Sequence, residues 1–353
     1  MIEDRKLDHI NICLKEEVEA TRGTGFEDIT LLHRAFPGLD LADISLETEF
    51  LGRKVSAPFM ISGMTGGERK LAKKINTNLA RAAQEFGIPM GVGSQRAAIK
   101  DPGLEDTYSI VREEAPETFL VANLGAVQFI DDYGIEEAER AVDMISANAL
   151  AVHFNPLQEA VQPEGDTDFS DDDALKELKG LTVPLIAKET GAGIAREEAK
   201  RFEDLGFSAV DTGGLGGTSF SAVESYRKGN RHGAAFREWG IPTAVSTVEC
   251  ASSTDLFIIS SGGIRSGIDV AKAMALGASA CGMALPLLGK AMKGPEAVLA
   301  ELDRVAQELK IAMFLAGARS VDDLKRCDVI IGGKTRQWLE LRGIDCKSYA
   351  NRK

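Results

Sequence analysis

The stretch His153 to Asp166 holds the densest polar chemistry of the chain, with His153, Asn155, Gln158, Glu159, Gln162, Glu164 and Asp166 close together. Carboxylates beside amides bind hard cations through oxygen, so Glu159 and its neighbours can carry Mg²⁺ while a diphosphate completes the shell. The same residues also read as a solvated acidic loop. His153 can donate to a diphosphate oxygen or sit satisfied in the core. Ser261-Gly262-Gly263, with Arg265 beside it, precedes a helical pattern. A glycine turn at a helix N-terminus offers N–H donors and a favourable dipole to an anion, and phosphate is the natural occupant. A plain structural turn is the alternative.

These residues need strands to aim them. Leu256 to Ser260 and Ser279 to Met283 read as short buried strands around a helix over Ile268–Leu276, with Gly277 placed as its C-cap. Ala57–Ser62, Ile88–Val92, Phe119–Leu124, Leu150–Phe154, Val183–Ala187 and Ser208–Val210 repeat the pattern. All but the second lead to an evident helix, such as Glu68–Phe86, Ile194–Leu205 or Thr243–Cys250. Eight strands, with glycine and polar residues concentrated after them, predict a single α/β domain built as a (β/α)8 TIM barrel. Residues 1–50 read as a polar N-terminal arm, 51–290 as the barrel and 291–353 as a C-terminal helical segment. An open doubly wound sheet fits less well, because it gathers ligands at one switch point and no G-x-G-x-x-G opens a first unit. The polar segment from Ser221 to Gly240 reads as a lid or as disorder.

In a closed barrel the strand ends converge, and Thr65, Ser94, Arg96, Asn123, His153, Asn155, Lys188, Thr218 and Arg265 can then meet around one ligand. A phosphate grip at the last turn with donors ringing the mouth suits a flat phosphorylated cofactor, and flavin mononucleotide (FMN) fits. Lys188 can hold negative charge near the N1/O2 edge of a reduced flavin, or it can pair with Glu189 or Asp211. Arg5, Lys6 and His9 either belong to a solvated arm or fold over the mouth to bind an anion. Composition favours the solvated arm.

Bulk properties narrow the classes. At 353 residues, with 44% hydrophobic and 27% charged, the composition is globular. A net charge of -13 argues against nucleic-acid and acidic-membrane partners. Five cysteines without a C-x-x-C pair argue against a disulfide framework or zinc site. No apolar run approaches a membrane span, and no signal peptide opens the chain, so a cytoplasmic protein is expected. There is no G-x-S-x-G, H-E-x-x-H or P-loop.

Taken in order, R-K-x-D-H at Arg5–His9, SGMTGG at Ser62–Gly67, GSQR at Gly93–Arg96, HFNPLQEAVQPEGD at His153–Asp166, KETGAG from Lys188, GGTSF at Gly216–Phe220 and SGGIRSG from Ser261 resemble one family. It is that of the type 2 isopentenyl diphosphate isomerases, which use FMN. The resemblance implies flavin contacts at Met64, Thr65, Ser94, Asn123, Lys188, Thr218, Gly263, Arg265 and Ala284. It implies diphosphate contacts at Arg5, Lys6, Arg96, His153 and Asn155, with His9 nearby, Gln158 beside the allylic carbon and Glu159 as the magnesium ligand. Gln158, Lys188 and His153 would be the catalytic residues. Phe220 departs from a tryptophan of some members, so the apolar wall near the prenyl group would be shaped differently.

The implied reaction isomerises a small prenyl diphosphate without net redox change, using Mg²⁺ and reduced FMN, with NADPH as the flavin's reductant. A homo-oligomer, tetramer or octamer, is expected. Two rivals remain at this level. A flavin oxidoreductase on the same barrel would oxidise its substrate stoichiometrically and leaves R-K-x-D-H unexplained, and a binding protein would hold a phosphorylated metabolite without turnover.

Overall fold

The computed structural model describes residues 2–66, 69–170, 172–228 and 231–352, with the side chains of residues 2–5 and 228 left aside. Twelve strands lie in chain order: β1 (Ile29–Leu31), β2 (Thr48–Phe50), β3 (Arg53–Val55), β4 (Phe59–Ile61), β5 (Met90–Gly91), β6 (Leu120–Gly125), β7 (Ala149–Phe154), β8 (Leu185–Glu189), β9 (Ala209–Asp211), β10 (Phe257–Ser261), β11 (Ala280–Met283) and β12 (Val329–Ile331). β4 to β11 run parallel in a closed barrel, and β11 seals it against β4 through the Cys281–Phe59 pairing. Parallel strands buried on both faces read as continuous apolar runs, which is why each was visible in the sequence. The register sets His153 opposite Lys188 and Lys188 opposite Asp211, so three polar side chains stand level at neighbouring strand ends.

Several expectations are corrected. The N-terminal region is not a solvated arm: Ile2–Lys15 is a helix, and Ile10, Val18, Phe26 and Ile29 are buried. The second barrel strand is followed by helices after all, Arg96–Lys100 and Asp106–Glu114. The C-terminal segment is not only helical, because β12 pairs antiparallel with β1. Pro156–Val161 is helical, so Gln158 and Glu159 sit on a helix rather than in an acidic loop. The polar stretch after Phe220, read as a lid or as disorder, is not disordered where described: it forms helices Phe220–Lys228 and Arg231–Ala235. Gly67 and Glu68, the end of one motif and the expected start of a helix, lie outside the described residues; that helix is described over Leu71–Phe86.

The hairpin β2–β3 plugs the N-terminal end of the barrel. Phe50 is buried there, edge-on to Phe119 and Phe257 with ring centroids 5.1 Å away in both cases. Phe50→Ala removes both ring pairs and opens a cavity, so unfolding free energy is expected to fall by about 3–5 kcal/mol. Turnover per folded molecule should stay unchanged, because the strand ends that carry chemistry lie opposite. Urea denaturation checks this; a loss under about 1 kcal/mol would contradict the plug.

Candidate functional site

All eight barrel strands deliver residues to one cleft of about 1680 Å³, open mouth included. Met64, Thr65, Ser94, Asn123, Lys188, Thr218, Gly263, Arg265 and Ala284 line it, as do Lys6, His9, Arg96, His153, Asn155, Gln158 and Glu159. Of the sequence-predicted site residues only Arg5 cannot be placed, since its side chain lies outside the described residues. Lys6, Arg96, Lys188 and Arg265 give this cleft a local positive character inside a protein of net charge -13.

The N-terminal helix is its roof. Lys6, His9, Ile10 and Cys13, spaced as one helical stripe, all line the cleft. Lys6 Nζ donates to Ser94 O at 2.7 Å and Tyr108 Oη at 2.6 Å, which ties the helix to the loop after β5 and to helix Asp106–Glu114. His9 Nε2 donates to Glu224 Oε1 at 2.7 Å, and Arg227 Nε meets Glu224 Oε2 at 2.8 Å. Burial alone would raise the Glu224 carboxyl, but the bonds and charges of His9 and Arg227 hold it below its ordinary value. Sequence reading missed Glu224, although its i,i+3 spacing to Arg227 on a helix was available.

At the Ser261–Gly263 turn, expected from the sequence to take a phosphate, the structure changes the argument. The N–H groups around the start of helix Gly267–Ala275 are largely taken: Arg265 N and Ser266 N go to Asp269 Oδ2, Gly267 N to Glu308 Oε2 at 2.9 Å and Asp269 N to Ser266 Oγ at 3.1 Å. The turn itself and Arg265 remain for an anion. Gly262 and Gly263 take φ of 103° and 77°, and a Cβ on Gly263 would meet Thr24 at 2.4 Å, so only glycine fits. The Arg265 guanidinium presently bonds Glu19, with Nε 3.0 Å from Oε1.

Lys188 Nζ lies 2.9 Å from Asp211 Oδ2, the pairing that was one of its two readings, and it still faces the cleft. Glu189 takes Gly191 N and Gly193 N at 2.6 and 3.1 Å, and Ala192 N, on one oxygen. Its burial nonetheless pushes the carboxyl up to about 7 against those donors. Asn123 Nδ2 donates to Val92 O at 3.1 Å, leaving Oδ1 to accept from His153 Nδ1 at 2.9 Å. Burial, then the Lys188, Lys6 and Arg96 charges, drives His153 down to about 4. The ring is therefore neutral near pH 7, with its proton on Nδ1.

A folded-state pKa of about 4 against the ordinary 6.5 means that the unfolded chain binds more protons in between, so stability is present above pH 6.5 and lost as pH falls toward 4. Between pH 7.5 and 5 wild type is expected to lose about 2 kcal/mol through this residue. His153→Gln lacks that loss. Glu189 titrates in the opposite sense, but it is common to both proteins, so the difference between their denaturation curves isolates His153. Parallel pH dependences would contradict the assignment.

Glu159 is buried, accepting from Asn155 Nδ2 at 2.9 Å, Gln162 Nε2 at 3.1 Å and Asp166 N at 2.9 Å. Asn155 Oδ1 and Gln162 Oε1 are buried beside it without a hydrogen-bond partner. Two carbonyl-type oxygens around a carboxylate suit a hard cation. Among the described residues no cluster of three or more His, Cys, Asp or Glu could hold a metal, so amide and substrate oxygens must complete any shell. Ser62 Oγ, Thr65 Oγ1 and Arg96 Nε are likewise buried and unpartnered in the cleft, hydrogen-bonding capacity that a flavin and an anion would use. Among the described residues no helix is long and apolar enough to cross a membrane.

Residues 2–105 and 151–330 match the model of the FMN-dependent dehydrogenase family. The isopentenyl-diphosphate delta-isomerase of Methanothermobacter thermautotrophicus is 50% identical, with all of both chains covered. That of Thermococcus onnurineus is 52% identical over 98% of this chain and 95% of its own. A crystal structure of mandelate oxidase with (S)-2-phenylpropionate superposes with a TM-score of 0.64 at 21% identity, covering 93% of this chain and 98% of that one. At that identity the likeness speaks for the barrel alone.

Proposed function

The chain belongs to the type 2, FMN-dependent isopentenyl-diphosphate delta-isomerases, and on that premise we propose how its own residues divide the work. The reaction moves the double bond of isopentenyl diphosphate to give dimethylallyl diphosphate, with no net redox change. FMN, when bound, supplies an acid and base at N5 and an electron-rich face to the developing cation. The protein's part is binding, orientation and electrostatics.

Met64, Thr65, Ser94, Asn123, Thr218 and Ala284 hold the flavin, with Gly263 and Arg265 at its phosphate, where Arg265 must leave Glu19. Lys188 sets a positive charge at the pyrimidine edge. Lys6, Arg96 and Asn155 grip the diphosphate, with His9 beside them and Arg5 on the same helix. His153, neutral in the free protein, becomes a second donor there only by taking a proton onto Nε2. A diphosphate counters the cations that depress this ring, and so favours that uptake. Gln158 lines the cleft one residue before Glu159 and places the allylic carbon. The roof helices keep water from the alkene. NADPH as the flavin's reductant, a cytoplasmic setting and a homo-oligomer of four or eight chains complete the reading.

Glu159 holds Mg²⁺, with Asn155 and Gln162 oxygens beside it and the diphosphate completing the shell. Glu159→Gln removes the charge that the protein contributes to that set, so half-saturating Mg²⁺ should rise roughly tenfold or more. An unchanged magnesium titration would remove the assignment.

The observation that carries the reading is the clustering of unpartnered donors and acceptors with four cations in one cleft. Its test is anaerobic turnover of isopentenyl diphosphate in D₂O with FMN, NADPH and Mg²⁺, followed by NMR. Deuterated dimethylallyl diphosphate far in excess of NADPH consumed is expected. Product matched mole for mole by flavin reduction would instead mark an oxidoreductase.

A further inference from the structure

We propose that Asp211 is a positioning residue that sets how much of the Lys188 charge reaches the flavin, and so tunes the flavin's reduction equilibrium. The proposal rests on the reading that Lys188 faces the pyrimidine edge. Asp211 itself does not line the main cleft; it borders a small void beneath it, shared with Lys188 and Asn123. Strand register puts it directly beside Lys188, 2.9 Å from Nζ, with the two side chains only 4% and 15% exposed.

Its second oxygen is also engaged, by the Ser261 hydroxyl. Ser261 is in turn fixed from several sides: Gly213 N donates to its Oγ at 3.1 Å, and its own N–H goes to Thr212 Oγ1 at 3.0 Å. Since Ser261 opens the Gly262–Gly263 turn, one chain of polar contacts runs from the phosphate turn through Asp211 to Lys188. Both ends of the flavin would therefore be read by the same carboxylate.

Electrostatics gives the direction. Away from bulk water a carboxylate at hydrogen-bond distance cancels much of the field that the lysine exerts on a third group. An unopposed lysine favours the reduced, anionic ring strongly and lowers its basicity. A redox-neutral isomerase needs the reduced form populated while the ring stays basic enough to exchange protons. Asp211 moderates the first requirement in favour of the second.

The test is the reduction potential of the FMN-loaded protein, together with the absorbance pH profile that separates neutral from anionic reduced flavin. Asp211→Asn keeps shape and removes charge, so the equilibrium should move about tenfold toward reduced flavin, a rise of about 30 mV for two electrons. The anionic form should also persist to lower pH. Lys188→Ala should move both readouts the opposite way. Ser261→Ala, which keeps the carboxylate but strips a donor from it, should lower the potential by moving the same equilibrium about two- to threefold toward oxidised flavin. That variant carries the test if Asp211→Asn does not fold. A fall in Lys188→Ala with no shift in Asp211→Asn, or no fall in Ser261→Ala, overturns the role of Asp211 and leaves Lys188 in place. A flat response of Lys188→Ala overturns the reading of Lys188 and this proposal with it.

Discussion

Lys188→Ala is expected to keep FMN and lose turnover about 10²–10³-fold, the usual cost of removing one preorganised charge from a water-poor site. Flavin retention follows from how the proposed flavin contacts are distributed: Thr65, Ser94 and Thr218 on three loops, Gly263 and Arg265 on a fourth, all lining the cleft independently of Lys188. The loss of rate follows from position. Lys188 lies level with His153 and Asp211 on adjacent strands, mostly shielded from solvent, so its field is not screened as a surface lysine's would be. Lys188→Arg is not a conservative replacement here, because a planar fork cannot reproduce a point charge held 2.9 Å from Asp211. Steady-state kinetics on protein of measured flavin content decides the matter, and full turnover with flavin bound would end the assignment.

What the sequence made legible follows a physical pattern. The barrel was readable because its strands are short apolar runs, most of them closed by glycine or polar residues, and the turn at Gly262–Gly263 imposes positive φ that only glycine takes at no cost. The cleft residues were readable because a closed barrel forces its strand ends together. The N-terminal region was not, because its partners are remote in sequence: Lys6 on Tyr108, His9 on Glu224, β1 on β12. Local composition reports none of those contacts. The helix-dipole account of phosphate binding missed for the opposite reason. Ser266 and Asp269 already spell a capping box in the sequence, and a capped helix has its donors spent.

Glu224→Ala is expected to unfasten the roof. Arg227 is 5% exposed and Glu224 0%, with His9 on the other carboxylate oxygen, so removing the carboxylate strands a buried guanidinium and an imidazole donor at once. Breaking a buried pair from one side costs about 3–5 kcal/mol. Among the described residues Arg227 then keeps only Glu164, which is 40% exposed and a weak substitute. That cost falls on the packing of helices Ile2–Lys15 and Phe220–Lys228 rather than on the barrel, whose strands pair without them. Hydrogen exchange should therefore accelerate across those two helices while β6 to β8 stay protected. With His9 no longer held over the mouth and the helix that carries Lys6 loosened, KM for the diphosphate should rise by tenfold or more, in step with the local opening. Glu224→Gln keeps the shape and one acceptor oxygen but neither the charge nor the second acceptor, and should fall between. Unchanged exchange in the N-terminal helix of Glu224→Ala, or an unchanged KM, would show that the roof is fastened elsewhere, and the Lys6 anchor on Ser94 and Tyr108 would then be the place to cut.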